Sequence, residues 1–291
     1  MSSQTVLCTT KRDGRPAPQA GKGATILNAS PQPGEMNLKG YLVRFISEGQ
    51  EKFKQDGRTY YLEAGHYILL NPGKISWTIE TPSQGIWAEV PLNQIKRELQ
   101  NLHHESPDNW KDNIFGTKGE IQFCDHVYMA QLDELGRLLL GWKDRNSFGE
   151  ASTKMLIQTL LKSQKTAFEG IGRLTSAKLS TRKELYRRLC QSQAYIHSNL
   201  DSLLDLDTLS QVACLSKYHF IRLFKEVYGE TPRQYLIKQR LDKAKSLLVT
   251  SKKTFHEICH EVGLKDSSSF GRLFKRSFGA TPQIYRQMHS L

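Results

Sequence analysis

The ten residues Phe220-Ile-Arg-Leu-Phe-Lys-Glu-Val-Tyr-Gly229 return fifty positions later as Phe270-Gly-Arg-Leu-Phe-Lys-Arg-Ser-Phe-Gly279. Each copy runs on into Thr-Pro and a tyrosine, so that Thr231, Pro232 and Tyr235 are answered by Thr281, Pro282 and Tyr285. Phe220, Leu223, Phe224 and Val227 recur at 3, 4 and 7 in the first copy, and Phe270, Leu273, Phe274 and Phe278 follow a similar helical spacing in the second, so each copy carries one apolar stripe along a helix. The glycine after each stripe suits a helix C-terminus, and Thr-Pro suits the N-cap and first residue of the next helix. Two small helical units in tandem are therefore predicted.

A short helix precedes each stripe. Leu206 to about Leu215 is apolar-periodic with Asp205 as its N-cap, and Ser216 opens the helix Lys217 to Tyr228. In the second unit the equivalents are Phe255 to Val262, a turn at Gly263 and a cap at Asp266. Between the units Ile237, Leu241, Ala244 and Leu248 make a stripe on a connecting helix of about 17 residues, on which both units can pack. At 1.5 Å per residue that connector is roughly 25 Å long, close to the ~34 Å that separates successive major-groove segments on one face of DNA.

The charge follows the repeat. Residues 180–291 hold 19 Lys+Arg against 10 Asp+Glu, whereas residues 1–179 hold 22 against 19. A local positive field attracts phosphate backbones. With the apolar stripes assigned to the core, the opposite faces offer Ser216, Lys217, Tyr218, His219, Ile221, Arg222 and Lys225 on the first helix. The second offers Ser267, Ser268, Ser269, Gly271, Arg272 and Lys275. Arg can grip guanine in two places, and Lys or Ser can hold phosphates. Each of these is a DNA contact or a solvated surface group, and either arginine could instead serve an internal salt bridge. The serines and Gly271 make the second face chemically plain, suited to positioning more than to base reading.

These residues resemble the AraC/XylS family of bacterial transcription regulators. The resemblance is carried by Leu206-Asp-Thr-Leu-Ser-Gln-Val-Ala, Ser216-Lys-Tyr-His-Phe-Ile-Arg-Leu-Phe-Lys, Arg240-Leu-x-x-Ala244, Glu257-Ile-Cys, Val262-Gly-Leu, and Phe270 through Arg286. It spans about residues 190–288. It implies seven helices, two helix-turn-helix units in adjacent major-groove segments of double-stranded promoter DNA, and contact with RNA polymerase. Ser210 and Cys259 stand where the family usually has Ala, and Cys214 where it usually has a turn glycine.

The N-terminal half reads differently. Tyr41–Ser47, Arg58–Glu63, His66–Asn71, Lys74–Glu80 and Ile86–Pro91 are short and rich in β-formers, broken by Gly57, Gly65, Pro72-Gly73 and Gly85. That pattern predicts an antiparallel sheet or small barrel, with Asp56-Gly57 as a hairpin turn. In this position it resembles the cupin-like domain of the same family, which often senses a small molecule. Trp77, Trp87 and Tyr60 either line an effector pocket or pack the barrel core, and Arg44 or Arg58 could pair with an anionic effector. Leu132, Leu135, Leu138 and Leu139, then Met155, Ile157, Leu160 and Leu161, mark two helices within Asp125–Arg145 and Glu150–Phe168. Such stripes serve a homodimer or pack against the barrel. Gly170 to Ser180 reads as a linker, with Thr181-x-x-Glu184 as a capping box opening the next helix.

The chain is thus expected to be α+β: a polar leader at 1–23, a cupin-like antiparallel β-barrel with helices at 24–178, and an all-α domain with two helix-turn-helix units at 179–291. No apolar run approaches the ~18 residues of a membrane span, and the leader lacks the apolar centre of a signal peptide. A cytoplasmic protein is expected. Cys8, Cys124, Cys190, Cys214 and Cys259 are scattered without a C-x-x-C pair, which argues against a disulfide framework and against zinc. A metal-dependent cupin enzyme needs a His-x-His with a nearby Glu. The barrel offers His66, and His103-His104 are adjacent. A DNA-alkylation repair protein needs a reactive cysteine in a zinc cluster, which the spacing denies. The sequence therefore predicts no catalytic residue, no metal and no cofactor.

Overall fold

In a computed structural model of the chain, residues 25–29, 31–102, 121–145, 148–175, 178–264 and 266–289 are described. The leader at 1–23, Cys8, His103-His104 and Lys265 lie outside them. The chain divides into two compact units after Gly172.

The first unit is built on an antiparallel sheet of seven strands: β1 (Thr25–Ala29), β2 (Gly34–Leu38), β3 (Tyr41–Gln55), β4 (Arg58–Glu63), β5 (His66–Leu70), β6 (Gly73–Val90) and β7 (Val127–Met129). The path runs β1-β6-β3-β5-β7, with β2 also on β6 and β4 also on β3. Asp56 and Gly57 turn the β3–β4 hairpin with φ of +50° and +76°, the left-handed pair that a tight two-residue turn requires. The expected closed barrel is not formed among the described residues: the path ends at β1 and β7 without a ladder between them. Instead the long strand β3 pairs with β4, β5 and β6, and β6 with β1, β2 and β3, and the sheet folds over a common core. Leu42, Phe53, Tyr60, Leu62, Ile68, Leu70, Ile75, Trp77 and Trp87 meet there.

Gly85 explains why β6 was expected as two strands. It lies inside the strand at φ +156°, and a Cβ would stand 2.0 Å from the carbonyl oxygen of Phe45. The glycine marks a close approach of two backbones rather than a turn. The β3–β6 register shifts just beyond it, between Ile46 and Glu51, and these bulges bend the pair.

Among the described residues this unit also holds helices α1 (Leu92–Leu102), α2 (Glu134–Trp142) and α3 (Glu150–Gly172). The helix expected from Asp125 is confined to α2, because β7 takes Val127–Met129 and Asp133 then caps the helix, accepting from Gly136 N at 2.6 Å. Leu135, Leu139, Leu156, Ile157, Leu160 and Leu161 are all buried within the chain, each full leucine burial contributing about 2 kcal/mol. Met155, expected on that stripe, points outward at 53% exposure.

The second unit holds seven helices among the described residues: α4 (Leu179–Ser198), α5 (Leu206–Val212), α6 (Lys217–Tyr228), α7 (Pro232–Thr250), α8 (Phe255–Glu261), α9 (Ser267–Phe278) and α10 (Pro282–His289). Lys178, not Thr181, is the N-cap of α4. The Thr181-x-x-Glu184 pattern falls within the first turns, and Glu184 instead accepts from Arg187 and Arg188 one turn on. Those two guanidinium groups hold its carboxyl down at about 2. The remaining caps follow the sequence. Asp205 accepts from Thr208 N, and Thr231 forms a reciprocal capping box with Gln234. Thr254 and Glu257 form a further one that the sequence reading passed over.

Candidate nucleic-acid interface

The turns that aim α6 and α9 are made alike. Cys214 N donates to Gln211 O at 2.9 Å and Leu215 N to Ser210 O at 3.0 Å; Gly263 N donates to His260 O at 3.0 Å and Leu264 N to Cys259 O at 2.9 Å. Both central residues are left-handed, Cys214 at φ +50° and Gly263 at +70°. At Gly263 a Cβ would stand 2.6 Å from Leu200 O and 2.8 Å from both Asp201 O and Arg240 Nη2. Buried Arg240 fixes that region, donating from Nε to Leu200 O at 2.9 Å and from Nη2 to Ser202 O at 2.6 Å.

Phe220, Leu223, Phe224 and Val227 turn inward on α6, as Phe270 and Phe274 do on α9. Ser216, Lys217, Tyr218, Arg222 and Lys225 are left exposed, with His219 and Ile221 half-buried. Tyr218, at 82% exposure, is the most prominent. On α9, Arg272 and Lys275 are exposed and Ser269 is half-buried; the side chains of Ser267 and Ser268 lie outside the described residues. Each helix thus brings its arginine and lysine to one exposed face, one turn apart.

Their local partners differ. Lys217 is ion-paired with Asp207 of α5, and Arg222 Nη1 lies 3.7 Å from Glu226 Oε1. Arg272 Nη2 donates to Ser269 Oγ at 3.3 Å. Arg276 joins the exposed face of α9, and the sequence reading missed it. The signal was its place in the repeat, one turn beyond Arg272 at the position of Glu226.

A polar cluster beneath α6 also escaped the sequence reading. Tyr235 OH of α7 receives a 2.8 Å bond from Gln193 Nε2 and lies 2.8 Å from His197 Nε2, both on α4. Tyr228 OH donates to Gln193 Oε1 at 3.2 Å. Burial holds the His197 imidazole down at about 4 and pushes the Tyr235 phenol up to about 12. The histidine is therefore neutral and locks α6 and α7 onto α4 through hydrogen bonds, not charge. Burial likewise raises the Cys259 thiol to about 11, which keeps it an inert apolar group.

Of the candidate effector residues of the first unit, Tyr60, Trp77 and Trp87 share one core, while Arg44 and Arg58 each meet a carboxylate of their own. Arg44 is fully buried and already neutralised: its Nε donates to Glu51 Oε2 at 3.0 Å and its Nη2 to Oε1 at 2.5 Å. Arg58 and Tyr60 converge on Asp125 Oδ2, at 2.9 and 2.8 Å. Trp77 and Trp87 meet edge to face with ring centroids 5.3 Å apart in the core. Trp77 Nε1 donates to Gln32 O at 2.7 Å, while the buried Trp87 N–H has no acceptor among the described residues.

The family model described as a helix-turn-helix domain matches residues 209–288, from within α5 into α10. The arabinose operon regulatory protein of Escherichia coli K12 is 25% identical over 86% of this chain and 82% of its own length. The transcriptional activator NphR of a Rhodococcus species is 25% identical over 87% of this chain and 71% of its own. A transposon protein of Escherichia coli, TetD of Tn10, is 41% identical over 32% of this chain and 67% of its own length. No helix among the described residues is long and apolar enough to cross a membrane.

Proposed function

The chain belongs to the AraC/XylS family of bacterial DNA-binding transcription regulators, and from that premise we propose that α5–α6 and α8–α9 are tandem helix-turn-helix units which read two successive major-groove segments of promoter DNA. The observation that carries this reading is the pair of exposed cationic faces on α6 and α9, at equivalent points of a repeated fold. Helix α7, with 19 residues, spans roughly 28 Å at 1.5 Å per residue, near the ~34 Å of one DNA turn. On α6 the reading residues are Ser216, Lys217, Tyr218, His219, Ile221, Arg222 and Lys225; on α9 they are Ser267, Ser268, Ser269, Arg272 and Lys275.

Residues 179–291 act in this reading as the DNA-binding domain and 24–178 as a cupin-like sensing and dimerising domain. The folded-over sheet with a shared aromatic core supports a cupin-like relationship. An effector site is supported by the Trp87 N–H, a buried donor available to a ligand acceptor within that core, with Trp77 and Tyr60 around it. Arg44, spent on buried Glu51, is not part of it; Arg58, whose pair with Asp125 is partly exposed, is the cation that would exchange its carboxylate for an anionic effector. Most of the leucine stripes of α2 and α3 is buried inside the chain, which leaves exposed Met155 and half-buried Leu132 and Leu138 for a homodimer contact. Contact with RNA polymerase and a cytoplasmic location complete the proposal.

Selection of duplexes from a randomised pool by the full chain, followed by anisotropy titration, tests it. A preferred sequence with two elements about one helical turn apart is expected. Lys225→Ala should reduce the slope of log affinity against log salt by about 0.9. A chain that enriches no sequence at low salt would overturn the reading.

A further inference from the structure

The two helix pairs differ in what holds their cations. On α6, Arg222 faces Glu226 one turn on, and Lys217 pairs with Asp207 across the turn. In the repeat Glu226 is replaced by Arg276, Asp207 by His256 and Lys217 by Ser267. Among the described residues no carboxylate pairs with Arg272, Lys275 or Arg276. On the first face two of the three cations, Lys217 and Arg222, stand beside a carboxylate while Lys225 is open; on the second all the described cations are open.

We propose that Glu226 and Asp207 are positioning residues that set sequence discrimination: they hold Arg222 and Lys217 back from phosphates and release them to the bases of a matching site. The proposal rests on the DNA-reading role given above.

Glu226 is suited to this. Its side chain is 23% exposed, and its Oε2 is buried without a hydrogen-bond partner. One carboxylate oxygen is thus already out of water while Arg222 is half exposed. When Arg222 moves to a phosphate, the carboxylate is left partly buried, without its counter-charge and facing the negative duplex. That cost arises on any sequence. An exposed ion pair of this kind changes an equilibrium by about twofold to fivefold, enough to cancel a loose phosphate contact. A bidentate contact with guanine discriminates by roughly 5- to 150-fold, enough to outweigh it. The pair therefore penalises random duplex and leaves the matching site nearly unaffected, a repulsive element added to an attractive one. On α9, where no such brake exists, the cations grip the backbone of any sequence, in keeping with a face that is otherwise serine and glycine.

Glu226→Gln keeps the shape and removes the charge. With the full chain, anisotropy titration against the duplex recovered from the random pool and against a scrambled duplex should show affinity for the scrambled one rising about threefold to fivefold. Affinity for the selected duplex should stay within about twofold, and the salt slope on scrambled DNA should steepen by about 0.9. In the Arg222→Ala background the gain should vanish, since the carboxylate acts through that arginine. Asp207→Asn with Lys217→Ala gives the same test at the second pair, should E226Q fail to fold. Conversely, Arg276→Glu places a carboxylate one turn from Arg272 and should lower scrambled affinity further than Arg276→Gln does. The proposal is overturned if E226Q changes both duplexes by one factor, or if its gain persists without Arg222. A chain with no preference for any selected duplex overturns the DNA-reading role itself, a distinguishable result.

Discussion

The first helix pair makes its turn with Cys214 and the second makes the same turn with Gly263, both at positive φ. Cys214 is exposed, so its side chain leaves into solvent and the only cost is the left-handed backbone of a residue with a Cβ. Gly263 sits against the carbonyls of Leu200 and Asp201, where no side chain fits. One turn geometry is thus demanded twice, but only the second copy demands glycine for space as well as for φ. What a repeat preserves is the backbone path; what surrounds each copy decides which residues can follow it.

The most damaging substitution expected from this comparison is Gly263→Ala. It adds a clash with Leu200 O to left-handed strain and should cost about 3 kcal/mol, read as a lower urea midpoint of the full chain at unchanged slope. If G263A costs no more than a surface substitution, the packing difference between the turns is not real.

A second contrast lies under the two tyrosines. Tyr235 shares its hydroxyl with half-buried His197, whereas Tyr285 stacks on exposed His289, ring centroids 4.1 Å apart. The folded pKa of His197 is about 4 against an ordinary 6.5. The unfolded chain therefore binds the extra proton between these values. The stability this group contributes is complete above 6.5 and is lost as pH falls through 4, about 3 kcal/mol in all. Urea unfolding across that window should show the slope, and His197→Gln should flatten it. Identical profiles for the two chains would remove His197 from the account.

Smaller effects sharpen the contrast between the faces. Arg222→Ala should weaken the selected duplex by roughly 1–3 kcal/mol and scrambled DNA much less, while Arg272→Ala should weaken both alike. Equal losses for Arg222→Ala on the two duplexes would deny it a base-reading role. Smallest is Cys214→Gly, expected to stabilise by about 0.5–1 kcal/mol through relief of left-handed strain, less the entropy that glycine adds to the unfolded chain. A loss in the melting experiment would mean that the Cys214 side chain makes a contact of its own.

Sequence was most informative where the signal is local. Caps at Asp205, Thr231 and Asp266, glycines at helix ends and a 3-4-7 stripe all act within a turn or two, and each reappears in the structure where expected. It was least informative where a residue answers to a distant one. Gly85 reads as a chain break until Phe45 is known to lie across it; one local signal also failed, the Thr181-x-x-Glu184 pattern, because α4 begins at Leu179 and Glu184 pairs with Arg187 and Arg188. Arg44 offered an anion site, but the partner that cancels it, Glu51, is reached only because β3 bulges between them. The cationic faces were legible because subtracting the apolar stripe leaves them. Their asymmetry lay in which acids stand beside them, and the Asp207–Lys217 pair needs the fold of the turn to be seen.

Helix α7 gives Tyr235 and Leu236 to the core of the first pair and Leu241, Ala244 and Leu248 to that of the second. Neither pair can melt without stripping one side of it. Fraying of a single reader is therefore suppressed, and amide exchange along α7 should be the slowest in this unit and report one global opening rather than two local ones. Under the proposed two-groove reading, a duplex that clamps either half should slow exchange in the other.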